Sequence, residues 1–169
     1  GRAAWRADTS LKEVLRQQTP TVILGDPGSG KTTLLRHLAL TLARGQGERY
    51  GLPDGMLPIL LPLRHYAARL AEGCPQTLVA YIPDYFAEQY VRLPYSFLEH
   101  ALREGRCLVM LDGLDEVAHA HLRITVADAV QNLVRAFPDN RFLITCRVAA
   151  YRSHPLPGHH LICTIKPFG

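Results

Sequence analysis

The sequence predicts an α/β protein in which helices cover a parallel β-sheet. Short apolar runs alternate along the chain with segments whose apolar residues recur every three to four positions, as they do in amphipathic helices. One run, residues 107–111, is apolar at every position, which is typical of a strand buried on both faces of a parallel sheet. Glycines and prolines separate these segments, and they set the element boundaries that the sequence predicts.

The composition is typical of a globular protein. A chain of 169 residues, 47% of them hydrophobic, predicts one domain over residues 1–169. We find no apolar run near the roughly 18 residues of a membrane span and no signal peptide, so we expect a cytoplasmic protein without membrane contact. The net charge of +4 comes almost wholly from scattered arginines, which does not favour a nucleic-acid partner. The cysteines lack metal-ligand spacing and are expected to be small hydrophobic residues, mostly within strands.

The first part of the chain predicts a helix, a strand and a second helix. Capping residues before an amphipathic segment predict a short helix over residues 8–18, which Pro20 ends. The β-branched run 21–24 predicts the first strand. Leucines at helical spacing predict a helix over residues 30–44, which Gly45 ends.

The turn between that strand and that helix matches the phosphate-binding pattern G-x-x-x-x-G-K-[ST]. Its glycines allow successive backbone N–H groups to converge on one phosphate. We expect Lys31 to contact the outer phosphates and the Thr32 hydroxyl to be a ligand of Mg²⁺, while the positive end of the following helix faces the anion. The residues expected to bind a nucleotide are Gly25, Asp26, Pro27, Gly28, Ser29, Gly30, Lys31, Thr32 and Thr33.

The second predicted strand, residues 56–63, is expected at an edge of the sheet. It contains Pro58 and Pro62, and proline cannot donate to the hydrogen-bond ladder from inside a central strand. Helices are expected after it over residues 63–71, 77–91 and 94–104, the second of them kinked or restarted at Pro83.

An aromatic stripe occupies the second of these three helices. Tyr81, Tyr85, Phe86 and Tyr90 recur at helical spacing. We interpret the stripe as a face that packs into the core, with a partner surface as the alternative.

Acidic residues follow the buried third strand, residues 107–111. Asp112 comes directly after it, at the edge where open α/β sheets bind ligands, and is therefore expected to hold Mg²⁺. Asp115 and Glu116 follow at a turn that Gly113 permits. One of the two could orient or deprotonate an attacking water, and the sequence leaves open which one.

The last part of the chain predicts a helix over residues 122–137 and strands over residues 141–146 and 160–165. Arg147 follows the first of these strands at the same sheet edge as Asp112. Its guanidinium could sense a terminal phosphate or pair with the acidic cluster.

Together, three motifs resemble the NACHT domain of the STAND class of P-loop ATPases: residues 24–35 (L-G-D-P-G-S-G-K-T-T-L-L), 111–116 (L-D-G-L-D-E) and 143–147 (L-I-T-C-R). The pair of acids after a small residue distinguishes this pattern from that of most related ATPases. Those proteins place a glutamate directly after the metal-binding aspartate, where this chain has Gly113. The resemblance implies an ASCE, AAA+-like P-loop NTPase fold: a three-layer α/β/α sandwich whose five-stranded parallel sheet has the strand order 5-1-4-3-2. It also implies that Arg147 is the sensor-1 residue and that Asp115 and Glu116 are the extended Walker B acids.

The resemblance further implies a regulatory module that binds ATP or ADP and hydrolyses ATP slowly with Mg²⁺. Such modules switch the conformation and oligomeric state of signalling proteins, in bacteria often in antiviral defence. Family members continue into helical and winged-helix domains and carry sensor and effector domains in the same chain. We find none of these domains in the sequence, so we expect an N-terminal helix over residues 8–18 and a nucleotide-binding core over residues 19–169.

The partners implied are therefore nucleotide, further copies of the protein in a homo-oligomer, and the sensor and effector domains of the same chain. Two alternatives remain open. One is a metabolic P-loop kinase or a transport ATPase, and the other is a scaffold that does not depend on nucleotide.

Overall fold

A computed structural model describes residues 3–4 and 11–165 of the chain. Within these residues a six-stranded sheet forms, in which every neighbouring pair of strands is parallel. The strands are β1 (Ala3–Ala4), β2 (Thr21–Leu24), β3 (Leu57–Pro62), β4 (Cys107–Asp112), β5 (Arg141–Cys146) and β6 (Leu161–Thr164). The helices are α1 (Leu11–Arg16), α2 (Lys31–Ala43), α3 (Leu63–Ala71), α4 (Leu78–Glu88), α5 (Tyr95–Arg103), α6 (Ala120–Ala136) and α7 (Val148–Ser153).

The strand order is β1-β6-β2-β5-β4-β3. In the numbering of the five predicted strands this reads 5-1-4-3-2 from β6 to β3, so the predicted sheet order is confirmed. The added strand, β1, was not predicted, because two alanines carry no periodicity. It pairs with β6 at the other edge of the sheet.

Helices cover both faces of the sheet and so give three layers. Along β4, Cys107, Val109 and Leu111 point into the core cluster that α3 to α7 contribute to, while Leu108 and Met110 point into the cluster formed with α1 and α2. All six residues of β4 are buried. The α/β sandwich that the apolar run predicted is therefore confirmed.

The proline-bearing strand lies at the edge of the sheet, as predicted. The N–H of Leu57 donates to the carbonyl of Arg106 on the β4 side. Because alternate residues of a strand direct their N–H groups to opposite sides, Pro58 and Pro62 stand where the N–H would face away from β4. The missing donors thus remove no bond from the ladder.

Some predicted boundaries are wrong. The middle helix neither restarts at Pro83 nor reaches residue 91, but runs unbroken through the proline and ends at Glu88. Tyr81 is buried, whereas Tyr90 is 99% exposed, because it lies beyond the helix end in a left-handed conformation with φ of 59°. The core interpretation therefore holds for the first part of the aromatic stripe and fails at Tyr90.

The N-terminal helix is shorter than expected and one helix was missed. The described part of the predicted helix 8–18 is helical over Leu11–Arg16, and residues 8–10 lie outside the described residues. Helix α7 follows β5 directly and buries only Tyr151, so it lacks the apolar repeat by which sequence reasoning finds helices. None of the described helices is long and apolar enough to cross a membrane.

Candidate functional site

The glycine-rich turn is the structural link between β2 and α2. The N–H of Gly25 donates to the carbonyl of Cys146 at 3.3 Å, which fastens the start of the turn to the end of β5. Farther on, the N–H of Ser29 donates to the carbonyl of Asp26 at 3.0 Å. Gly30 then takes a left-handed conformation with φ of 92°, and α2 begins at Lys31. A residue with a Cβ would be strained at this position, so the helix start depends on glycine.

Several backbone donors of this turn lack a backbone acceptor within the described part of the chain. Among the described residues, no backbone carbonyl accepts from the N–H groups of Gly28, Gly30, Lys31 or Thr32. The Ser29 hydroxyl is buried and also has no hydrogen-bond partner there. The first N–H groups of a helix carry its positive partial charge, so these donors form a cradle for an anion.

Two side chains pack within this cradle. The ammonium group of Lys31 folds back onto the loop, where it donates to the carbonyls of Gly25 and, at 3.3 Å, of Asp26. A Cβ on Gly25 would collide with the hydroxyl of Ser29 and lie 3.3 Å from the Lys31 stem. Gly25 is thus required by close packing. A phosphate fits this donor set, which combines backbone N–H groups, a hydroxyl and a cation.

Asp112 lies at the end of β4 and is held from two sides. The Thr32 hydroxyl donates to one carboxylate oxygen at 2.9 Å, and the Thr145 hydroxyl donates to the other at 2.5 Å. Thr145 also accepts from the N–H of Gly113 at 2.8 Å. The aspartate is 7% exposed, so these bonds fix its orientation. Thr32 and Asp112, 80 positions apart in the sequence, therefore meet as predicted.

The meeting of Thr32 with Asp112 suits a magnesium ion. A hydroxyl and a carboxylate oxygen are hard ligands, and Mg²⁺ is usually held by one or two protein ligands together with phosphate oxygens and waters. The described residues contain no cluster of three or more His, Cys, Asp or Glu that could hold a metal by itself. The donor set thus fits a metal ion that arrives with a nucleotide.

Asp115 pairs with Arg147. One oxygen of Asp115 accepts from the backbone N–H of Arg147 at 3.1 Å, and the other lies 3.2 Å from its Nε. The Asp115 side chain is 9% exposed and that of Arg147 is 56% exposed. The structure thus realises one of the two interactions anticipated for Arg147, the pairing with the acidic cluster.

Glu116 points elsewhere. Its carboxylate forms an ion pair with Arg64 at 3.0 Å, and both side chains are about half exposed. It also lies over Gly113, because a Cβ at that glycine would be only 2.8 Å from the Glu116 Cδ. Gly113 has φ of 83°, so the absence of a side chain both allows the turn and leaves room for the Glu116 carboxylate.

The thiol of Cys146, the last residue of β5, is buried near Asp115. Burial raises the pKa of the Cys146 thiol to about 12, and the negative charge of Asp115 acts in the same direction. This thiol is therefore protonated and inert at neutral pH, in keeping with the interpretation of the strand cysteines as hydrophobic residues.

The predicted site residues fall into two groups. The glycines of the loop, with Ser29, Lys31 and Thr32, surround the candidate phosphate position, and Asp112 adjoins it. In contrast, Asp26, Pro27 and Thr33 present exposed side chains at its rim.

Sequence reasoning missed two residues that contact the acidic cluster. In the sequence, Thr145 is only a polar residue inside an apolar strand. Its contact with Asp112 depends on the pairing of β5 with β4, which the residues around Thr145 do not indicate. Arg64 carried no signal, because a single arginine after a strand resembles any surface arginine.

Comparison with known families identifies this arrangement. The family model described as the NACHT domain matches residues 19–169. The chain belongs to the NACHT family. Among solved structures, C. elegans PCH-2 is similar with a TM-score of 0.51 and 14% sequence identity, over 94% of this chain and 38% of that chain. The chain thus spans well under half the length of PCH-2, and the likeness concerns the fold. A search of curated proteins found no match.

Family, fold and geometry agree. The chain is a NACHT domain with a P-loop NTPase fold, and it constitutes a nucleotide-binding module. In this fold the carboxyl ends of β4 and β5 lie at the same edge of the sheet as the cradle between β2 and α2.

Proposed function

We propose that this NACHT domain is the ATP/ADP-dependent switch of a signalling protein of the STAND class, and that it hydrolyses ATP slowly with Mg²⁺. One observation carries the proposal: the two charged groups to which we assign roles in hydrolysis, Arg147 and Glu116, are both engaged by other protein side chains. A site arranged in this way favours holding a nucleotide over turning it over.

Binding is assigned to the cradle. The free N–H groups of the loop and the Ser29 hydroxyl bind the phosphates, because they have no competing acceptor among the described residues. Lys31 joins them by exchanging the carbonyls of Gly25 and Asp26 for the charged phosphate. Thr32 and Asp112 hold the magnesium ion. When bound, that ion offsets negative charge on the phosphates and orients them.

We assign the two neighbouring acids to different roles. A general base must reach a water molecule, and Glu116 is 44% exposed in its side chain, against 9% for Asp115. Both oxygens of Asp115 face the backbone and side chain of Arg147. We therefore take Glu116 as the base and Asp115 as the residue that positions Arg147, which senses the terminal phosphate.

Self-association completes the switch. NACHT domains typically oligomerise, and we expect the ATP-bound state to be the one that assembles. The trigger would be Arg147: its guanidinium leaves Asp115 for the terminal phosphate of ATP, and it has no such partner in ADP. Light scattering in ATP and in ADP measures the difference.

The experiment is a phosphate-release assay at saturating ATP and Mg²⁺. We expect a rate well below the roughly 1–10³ s⁻¹ of typical enzymes, and a further loss in Glu116→Gln. Asp115→Asn keeps the base and removes the carboxylate that competes with the terminal phosphate for Arg147, so it should increase the preference for ATP over ADP. Several turnovers per second would contradict the switch. Wild-type turnover in Glu116→Gln, with none in Asp115→Asn, would reverse the two assignments.

A further inference from the structure

An exposed aromatic segment, residues 90–97, spans the link between α4 and α5 and the first turn of α5. The described residues have six exposed large hydrophobic side chains, and four of them lie within this segment: Tyr90, Val91, Tyr95 and Phe97. The other two are Leu40 and Ile124. Apolar side chains gathered at one place on the surface indicate contact with another molecule. The partner surface that the sequence left open for the aromatic stripe is therefore supported at the exposed end of the stripe.

Tyr90 has a fixed and strained backbone in this segment. Its N–H donates to the carbonyl of Ala87 at 3.0 Å, and the N–H of Val91 donates to that of Phe86 at 2.8 Å, which is the Schellman pattern of helix ends. The left-handed residue of this pattern is usually glycine, and Tyr90 is the one non-glycine residue with positive φ in the described part of the chain. Strained residues of this kind gather at functional sites. Because the Tyr90 side chain is 99% exposed, packing within the domain does not offset the strain.

A groove with a volume of about 430 Å³ lies between α6, α7 and the loop that follows α7. Apolar side chains form most of its wall, among them Leu114, Ala120, Ile124, Ala127, Ala150 and Leu156. Ile124 is 66% exposed, so five of the six exposed large hydrophobic residues belong either to the aromatic segment or to this groove. Cavities of roughly 300–1,000 Å³ hold ligands of drug size, which exceed one aromatic side chain. The groove can therefore take a ring of the segment.

The aromatic segment and the groove lie apart on one molecule. The segment belongs to the connection between β3 and β4, at the outer edge of the sheet. The groove lies between the helix that connects β4 to β5 and the helix that connects β5 to β6. No residue of the segment lines the groove. Contact between the two surfaces is therefore contact between two copies.

The aromatic segment has a free positive charge. Arg92 is exposed and forms no ion pair with any other described residue. The nearest acids in the sequence are already paired, Glu88 with Arg69 at 3.0 Å and Glu99 with Arg103 at 2.5 Å. The segment thus presents aromatic rings together with an unpaired guanidinium group. Tyrosine and arginine are among the residues that most often dominate the binding energy of protein interfaces.

The groove has a free negative charge. Asp128 lines it, is exposed and forms no ion pair within the part of the chain that the structure describes. The other Asp and Arg residues of the wall are engaged: Asp115 pairs with Arg147, and Arg123 donates to the carbonyl of Val117 at 2.8 Å. A free carboxylate beside an apolar wall complements the free cation beside the apolar rings of the segment.

We propose that the aromatic segment of one copy docks into the groove of the next, with an aromatic ring against Ile124 and with Arg92 paired with Asp128. The partner is thus a second copy of this domain. Because the two surfaces differ, the contact is head to tail, and repeated contacts close into a ring or extend as a filament. This interface rests on the self-association in the proposed function, and it names the residues that form the contact.

The nucleotide acts on this interface through Asp115. In the proposed function, Arg147 leaves Asp115 for the terminal phosphate of ATP. Asp115 lines the groove, so its carboxylate then loses the neutralising guanidinium and the groove becomes more negative. The groove attracts Arg92 more strongly in the ATP state than in the ADP state, which gives assembly in ATP a physical reason.

The test measures molar mass against protein concentration by light scattering, with Mg²⁺ and either ATP or ADP. Arg92→Asp and Asp128→Arg should each weaken assembly in ATP about ten-fold or more, because like charges then face each other. The charge swap Arg92→Asp/Asp128→Arg should restore assembly to within about three-fold of wild type. Arg44→Asp is the matched control, because it reverses an exposed charge on another surface, at the end of α2.

Tyr90→Gly separates docking from folding. Glycine suits the left-handed position, so Tm should not fall. Assembly should nevertheless weaken about ten-fold or more, because the exposed ring is lost. A residue with only a structural role would lower Tm and leave the assembly of the folded protein unchanged.

The possible failures are distinguishable. If the wild-type protein stays monomeric in ATP at every concentration, the self-association in the proposed function is wrong, and this interface with it. If it assembles but Arg92→Asp and Tyr90→Gly assemble as wild type does, self-association stands and only the docking of the segment is refuted. If the segment variants weaken assembly but Asp128→Arg does not, or the charge swap fails to restore it, the groove is refuted as the partner of the segment.

Discussion

Removing the Thr145 hydroxyl should destabilise the domain at the end of β4. In Thr145→Val the shape and the strand preference are retained, but two buried hydrogen bonds are lost, at 2.5 Å to Asp112 and at 2.8 Å from Gly113. A hydrogen bond to a charged group contributes about 1.5–3 kcal/mol, and a buried unpaired N–H costs about 1–3 kcal/mol. We expect a loss of roughly 3–5 kcal/mol, a large part of the total stability of a typical domain.

Thermal unfolding measures this loss. For a domain of this size, each kcal/mol lowers Tm by about 2–4 °C, so the expected shift is about 6–20 °C. Thr125→Val is the matched control, because Thr125 is exposed and its hydroxyl only bonds the carbonyl of His121 within α6. Its effect should stay within about 0.5 kcal/mol. Equal melting temperatures for the two variants would refute the account of how Asp112 is held.

Two further predictions concern the metal and the thiols. Asp112→Asn should abolish the dependence of ATP affinity on Mg²⁺, which titrations with and without the ion will measure, and an undiminished Mg²⁺ effect would remove Asp112 from the metal site. Burial raises the pKa of Cys107 and of Cys146 to about 12. Unfolded thiols ionise from about pH 8.5 while these two stay protonated, so the free energy of unfolding should fall as pH rises from about 9 toward 12. Urea titrations will show the fall, and a variant with alanine at both positions should show a flatter profile.

The sequence predicted what depends on local pattern. The loop from Gly25 to Thr33 was recognised because each of its residue types has a chemical reason to be there. Strand β4 was recognised because burial on both faces leaves no place for a polar side chain. The edge position of β3 followed from its two prolines, since a proline removes a donor whatever the surrounding structure.

The parts that were missed depend on distant pairing. Thr145 contacts Asp112 only because β5 lies beside β4, and Arg64 reaches Glu116 only because β3 lies on the other side. Strand β1 has two residues, and it exists only through its partner β6. Tyr90 fits the helical repeat of its neighbours, and its exposure depends on where α4 ends.

The most direct test of the central claim is a calorimetric titration of purified protein with ATP and with ADP in the presence of Mg²⁺. We expect saturable binding of both nucleotides to the wild-type protein. Lys31→Ala should bind about ten- to a hundred-fold more weakly, because it loses a charged contact of about 1.5–3 kcal/mol, whereas Lys12→Ala, which removes an exposed lysine on α1, should bind as wild type does. Equal dissociation constants for wild type and Lys31→Ala would contradict the assignment of the loop as the phosphate site.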